Sequence, residues 1–156
     1  MTQSSTSSSP NAIVGRVVDT VAIDVEAGKI GEFVRATRVS DPVHSHPEAA
    51  AAAGLQGVAA TPTHVVVAGH CRDPRAWVEA LGLDMQRVIV GSVSWEYVRP
   101  LVAGDRVNGR RVVVRDERRD GRTGPMRVIT METDWRDASG DLAVRQRETI
   151  IERGTT

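Results

Sequence analysis

The feature that most constrains the fold is a series of β-branched runs filling the C-terminal part of the chain. "VIVGSVSWEYV" (88–98), "RVNGRRVVVRDER" (106–118), "PMRVITMETDWRD" (125–137) and "LAVRQRETIIER" (142–153) follow one another at short intervals. "RDGRTG" and "DASGD" separate the last three and carry the residues of tight hairpin turns. Asn108-Gly109 lies too soon after Gly104 to close a hairpin of its own, so it reads as a bulge or a strand start. Four such strands in succession predict an antiparallel sheet, which needs cover for one of its faces.

The N-terminal part supplies that cover. "VVDTVAIDV" (17–25) places Val17, Val21, Ile23 and Val25 on one alternating face, with Asp19 as the exception, and predicts a fifth strand. "EAGKIGEFVRAT" (26–37) spaces Ile30, Phe33, Val34 and Thr37 as an amphipathic helix. Ser45 and Glu48 have capping-box spacing, with Pro47 tolerated in the first turn, so a short helix is expected through the alanines to Gly54. Thr61 and Pro62 read as an N-cap and first-turn proline ahead of "HVVVAGHC", whose valines argue equally for a strand. "DPRAWVEALGL" (73–83) reads as a further helical piece, or a lid. One early strand, central helices and four later strands make a single α+β domain over residues 12–153. The polar stretch 1–11 is expected to be a disordered tail with no secretory-signal pattern.

Composition narrows the function classes. The 156 residues suffice for one domain and fall short of two ordinary ones. Twenty basic and twenty acidic residues cancel, so no net field points to nucleic acid or membrane. There is no apolar run long enough to span a bilayer, and the one cysteine, Cys71, leaves no internal disulfide framework. A soluble cytoplasmic protein is expected. His44, His46, His64, His70 and Cys71 lack the paired spacing of a zinc site apart from one His-x-His, so no metal is expected. Cys71 is read as a small buried residue, and His64 and His70 as ordinary polar residues on or near a helix. Trp77, Trp95 and Trp135 are read as core or interface anchors.

Three segments carry a resemblance to a known family. They are "EFVRATRVSDPVHSHPEAAAAAGLQGVAATPT" (32–63), "WEYVRPLVAGDRV" (95–107) and "RETIIER" (147–153). In that order they resemble the MaoC-like hydratase/dehydratases, in particular their N-terminal-type, FAS1-like dehydratase domains. The resemblance implies a hot-dog fold, an antiparallel five-stranded sheet wrapped around a long central helix. It also implies paired units, and acyl thioester ligands on coenzyme A or acyl carrier protein with no further cofactor.

Reversible hydration of a 2-enoyl thioester needs a base for water, an acid for the α-carbon and donors for the enolate oxygen. Working members of the family resemble one another in a loop with an aspartate and a histidine five residues apart. Laid on "RVSDPVH" (38–44), His44 takes the histidine position, Val39 the aspartate position and Asp41 that of a water-placing asparagine. Valine neither accepts a proton nor holds water. At the entry to the central helix this chain reads "ATPT" where working members carry a glycine, and Pro62 has no N–H to offer an oxyanion. Asp41 has three readings: base in an altered dyad with His44, cap of its own loop, or neighbour of a His44 that only touches substrate. Ser40, Gly57, Thr61 and Thr63 are the candidate substrate contacts. Arg99, Arg106, Arg110 and Arg111 are candidates for carrier phosphates or a solvated strand face.

Two classes of function follow from the resemblance. The first is an acyl-binding, catalytically impaired subunit whose partner chain carries the complete dyad in an (R)-specific enoyl-thioester hydratase or 3-hydroxyacyl dehydratase. The second is a self-sufficient homodimeric enzyme using an altered site. A non-enzymatic acyl-ligand-binding or regulatory protein ranks third.

Overall fold

The β-branched runs become strands and the punctuated stretches become turns. The structure is a computed structural model, and its described residues are 12–121 and 124–154. The tail expected at 1–11 and part of the 119–124 turn lie outside them. Strands β1 (Val17–Asp24), β2 (Val88–Tyr97), β3 (Arg106–Gly121), β4 (Gly124–Arg136) and β5 (Leu142–Arg153) form one antiparallel sheet in the order β1-β3-β4-β5-β2. Helices α1 (Ala27–Thr37), α2 (Pro47–Ala52) and α3 (Pro74–Ala80) lie in the segments joining β1 to β2. Asp73 caps α3 by accepting hydrogen bonds from the backbone N–H groups of Arg75 and Ala76.

The central segment resolves the ambiguity of its valines in favour of neither option. His64–Cys71 is an eight-residue 3-10 helix, shorter than the long helix the resemblance implies. β-Branched Val65, Val66 and Val67 with Gly69 disfavour an α-helix, and the short, buried turn keeps Val65 and Ala68 against the sheet. Neither predicted cap forms as expected. His64 N–H donates to the Thr61 carbonyl, and Thr63, not Thr61, occupies the cap position without a side-chain bond. Likewise His46 occupies the cap position of α2 without a side-chain cap bond, while the Ser45 hydroxyl pairs with the ring of His46 instead of a backbone N–H. Cys71 is exposed, contrary to the buried place expected for it, because it ends the 3-10 helix at the surface.

One face of the sheet is covered, and its core falls into two apolar clusters. The first joins Ile23, Ile30, Val65, Leu101, Val107 and Trp135. The second joins Val78, Leu81, Val113, Ile129, Met131 and Ile150. A bulge between Val17 and Asp19 explains the exception in the first strand. It leaves Val17 exposed, lets Val18 pack on the second cluster and turns Asp19 inward.

The Asn108-Gly109 pair is neither a bulge nor a strand start. It sits inside β3, whose bulge falls later, between Val113 and Arg115. Gly109 opposes the fully buried Trp135, and a Cβ there would lie 2.5 Å from the indole ring. Gly109→Ala therefore forces the ring or the strand to move, and about 1–3 kcal/mol of unfolding free energy is expected to be lost in urea denaturation. An unchanged midpoint would show that the indole has room to shift.

Candidate functional site

The loop from α1 to α2 carries the residues singled out from sequence. Arg38 ends α1 in the left-handed region, at φ 56°, and its N–H closes on the Val34 carbonyl. Val39 follows, half-buried, with its own N–H also on Val34 O. The Asp41 carboxylate accepts from the Val43 N–H at 3.0 Å, capping the turn Pro42–His44. Asp41 thus spends a carboxylate oxygen on its own loop and accepts from the His44 N–H with its backbone carbonyl, while among the described residues no hydrogen bond joins its carboxylate to the His44 ring.

His44 is held from the other side. Its Nδ1 lies 2.7 Å from the Ala59 carbonyl oxygen, so that nitrogen carries the proton and donates. Nε2 then keeps a lone pair and is the ring atom able to take a proton from water. Ala59 is fixed in turn: its N–H donates to the Val43 carbonyl, and it bridges to Val102. Gly57 permits this close approach, since a Cβ there would stand 2.8 Å from the Ala103 carbonyl oxygen. Its backbone place is structural as well as near the candidate site.

The remaining candidates spread along the entry to the 3-10 helix. Ser40 is exposed, Thr63 half-buried, and Thr61 buried with no partner for its hydroxyl among the described residues. The Tyr97 hydroxyl donates to the Pro62 carbonyl and so ties the end of β2 to the same turn. Burial pushes the Tyr97 phenol up to about 12, which keeps it a neutral donor.

His64, one turn further, is fully buried, meets Phe33 edge to face at 5.5 Å, and among the described residues has no hydrogen-bond partner on either ring nitrogen. Burial, helped by the charge of Lys29, holds its pKa below the ordinary 6.5. As pH falls through 6.5 the unfolded chain gains this proton and the folded one does not, so stability falls with it. The gap in urea midpoint between His64→Phe and the parent is expected to widen in the variant's favour from pH 7.5 to pH 5.5. Parallel midpoints would show that His64 ionises freely in the fold.

The arginines divide sharply. Arg99 pairs with Asp105 and Asp137, and Arg106 with Asp24. Arg110 borders a hollow of about 400 Å³ on the sheet, beside Glu132, Asp134 and Arg136. Arg111, grouped with them in the sequence reading, is instead buried: its side chain is 3% exposed, pairs with Asp19 and Glu148 and lies 4.7 Å from the centre of the Trp77 ring. Sequence reasoning missed this network. The signal was present in Asp19, Arg111 and Gln146, each standing at an inward position of an otherwise apolar alternation.

Comparison with known proteins fits this geometry to a family. Residues 12–146 match the model of the FAS1-like dehydratase domain region. The chain belongs to the FAS1-like dehydratase family. A relative in Saccharopolyspora erythraea, a UPF0336 protein, is 34% identical over 137 residues, which cover 87% of this chain and 85% of the relative. Two solved structures share the fold of this FAS1-like dehydratase chain. The HadBC (3R-hydroxyacyl-ACP dehydratase) complex of Mycobacterium tuberculosis superposes with a TM-score of 0.74 at 18% identity, covering 89% of this chain and 96% of that one. The ChsH1–ChsH2 complex of the same organism gives 0.64 at 20% identity, covering 91% and 99%. The five-stranded antiparallel sheet of this FAS1-like dehydratase chain is accordingly a hot-dog sheet of the MaoC-like type. Among the described residues no helix is long and apolar enough to cross a membrane.

Proposed function

We propose that this chain binds an acyl thioester, on coenzyme A or acyl carrier protein, as the catalytically impaired subunit of an (R)-specific enoyl-thioester hydratase or 3-hydroxyacyl dehydratase. The observation that carries the reading is the α1–α2 loop. It holds His44 anchored on Ala59, and five residues before it, at the position the family resemblance gives to the base, stands the half-buried Val39. Asp41 does not replace it, since its carboxylate is turned to the Val43 N–H. Pro62 removes an N–H from the turn that would hold the oxyanion.

A partner supplies what is missing. Strand β2 is an edge of the sheet, and its Ile89 and Val90 are exposed, Val90 to 64%. An exposed apolar edge strand favours pairing with another chain. The partner that suits this reading is a MaoC-like chain with the complete dyad, and the HadBC and ChsH1–ChsH2 folds both occur as complexes of two different chains.

A second reading rests on His44 itself. With Nδ1 bound to Ala59, the lone pair of the neutral ring lies on Nε2, and a homodimer using His44 without an aspartate is chemically coherent. Hydration of short- and long-chain 2-enoyl-coenzyme A by the purified chain and its His44→Ala variant separates the two. The expected outcome is no hydration by either protein, with acyl-coenzyme A still bound. Activity abolished by His44→Ala would overturn the impaired-subunit reading in favour of the homodimer.

A further inference from the structure

Between the two apolar clusters runs a polar row that neither the hot-dog core nor the α1–α2 loop requires. Cross-strand register places Asp19, Arg111, Thr133, Gln146 and Trp95 side by side from β1 to β2. Arg111 bonds Asp19 and Glu148, and Gln146 Nε2 donates to Glu148. Arg72, from the end of the 3-10 helix, closes over the row with 8% of its side chain exposed and its guanidinium 5.6 Å from the centre of the Trp135 ring. A polar row in a buried face costs stability unless its hydrogen bonds are made.

They are not all made. Six of the nine buried side-chain N and O atoms without a hydrogen-bond partner among the described residues belong here: Asp19 Oδ1, Arg72 Nε and Nη2, Trp95 Nε1, Arg111 Nε and Thr133 Oγ1. Four of those six are N–H donors, so the row is short of acceptors. Arg72 is the least satisfied, its Nε facing Asp19 Oδ1 at 3.4 Å without a hydrogen bond. A cleft of about 290 Å³ opens beside these groups, with Arg72, Arg111 and Trp95 among its lining and Val66, Trp77 and Val93 as apolar walls.

We propose that this cleft binds a small aliphatic carboxylate, held at its head by the Arg72 fork and the Trp95 indole N–H. Two oxygens in one plane suit a guanidinium edge better than a single carbonyl does. Asp19 and Glu148 beside the site disfavour a phosphate dianion. The cleft lies at the small end of ligand pockets and takes a short chain or the tip of a longer one. Arg72 Nη2 and Trp95 Nε1 lie beneath the lining, so entry is coupled to an outward swing of the Arg72 head group, whose ionic partner among the described residues is Asp19 at 3.4 Å. The proposal stands apart from the acyl-thioester reading of the α1–α2 loop.

Trp77 and Trp95 line the cleft, so tryptophan fluorescence reports its occupancy in the full chain. Titrations with hexanoate, hexanamide, inorganic phosphate, hexanoyl-coenzyme A and adipoyl-coenzyme A test the proposal. Hexanoate is expected to bind about tenfold or more tightly than the neutral hexanamide, and more tightly than phosphate. Arg72→Lys, which keeps the charge and loses the fork, and Trp95→Phe, which keeps a ring and loses the N–H, are each expected to weaken hexanoate several-fold with the thermal midpoint little changed. Trp77 remains as the reporter in the second variant. Adipoyl-coenzyme A binding above hexanoyl-coenzyme A, with the difference lost in Arg72→Lys, assigns the carboxylate to the far end of a thioester-borne chain; hexanoate alone assigns it to a free acid. Hexanoyl-coenzyme A by itself reads the acyl-thioester function, so the two ideas fail separately. Equal binding of hexanoate and hexanamide, tighter phosphate, or variants that bind as the parent does would each overturn the carboxylate site.

Discussion

Arg111→Met is expected to lower the unfolding free energy by about 3–5 kcal/mol, the cost of taking away the guanidinium that bonds the largely buried Asp19 and Glu148 carboxylates. Arg111 bonds Asp19 with one nitrogen and Glu148 with another, at 2.6 Å for the latter, and the side chain is 3% exposed. Methionine fills much of the same volume, so the loss reports charge more than packing. For a domain of this size the thermal midpoint should fall by roughly 6–20 °C. Urea denaturation followed by circular dichroism gives the free energy directly. The quadruple variant Arg111→Met, Arg72→Met, Asp19→Leu, Glu148→Leu is expected to recover much of the loss, because the whole ionic group, Arg72 at 3.4 Å from Asp19 included, is then replaced by apolar side chains. A loss below about 1 kcal/mol in the single variant, the range of exposed ion pairs, would mean that water reaches the group and that it is not a buried network.

The second large effect concerns catalysis. Val39→Asp in the isolated chain is expected to leave 2-enoyl-coenzyme A hydration at least about 10²-fold below that of a complete hydratase. Restoring a base recovers at most the roughly 10²–10⁴ that general-base catalysis supplies. In the proposed impaired subunit, the N–H that Pro62 lacks at the oxyanion turn is a separate loss of about 10²–10³. Pro62→Gly restores an N–H while keeping the carbonyl that accepts from Tyr97. The double variant Val39→Asp, Pro62→Gly is therefore expected to exceed either single one, as read by loss of the enoyl absorbance. Near-complete activity in Val39→Asp alone would sink the two-defect account and show that the oxyanion is held elsewhere.

Much of the candidate loop was legible because it is local. Val39, Asp41 and His44 fall within six consecutive residues, and Asp41 caps the turn that Pro42 opens and His44 ends. The capping box at Ser45 and Glu48 failed for an equally local reason: the Ser45 hydroxyl found the His46 ring, a competitor that spacing rules ignore. The partner of His44 was not legible. Ala59 is fifteen residues away and offers only a backbone carbonyl, which no side-chain pattern announces.

By itself the sequence determined the strands, their turns and the antiparallel pairing of β3, β4 and β5, since alternation and turn chemistry act over a few residues. It also determined the absence of a base at position 39, because no fold can make valine accept a proton. The tertiary structure alone decided which residues share a row. Bulges after Val17 and Val113 shift the register, and with it Asp19, Arg111, Thr133, Gln146 and Trp95 line up across five strands. It decided the 3-10 geometry of 64–71 as well, where valine propensity was ambivalent and burial of Val65 and Ala68 against the sheet settled the backbone. In both cases the deciding free energy lies in contacts between residues far apart in the chain, which local pattern does not encode.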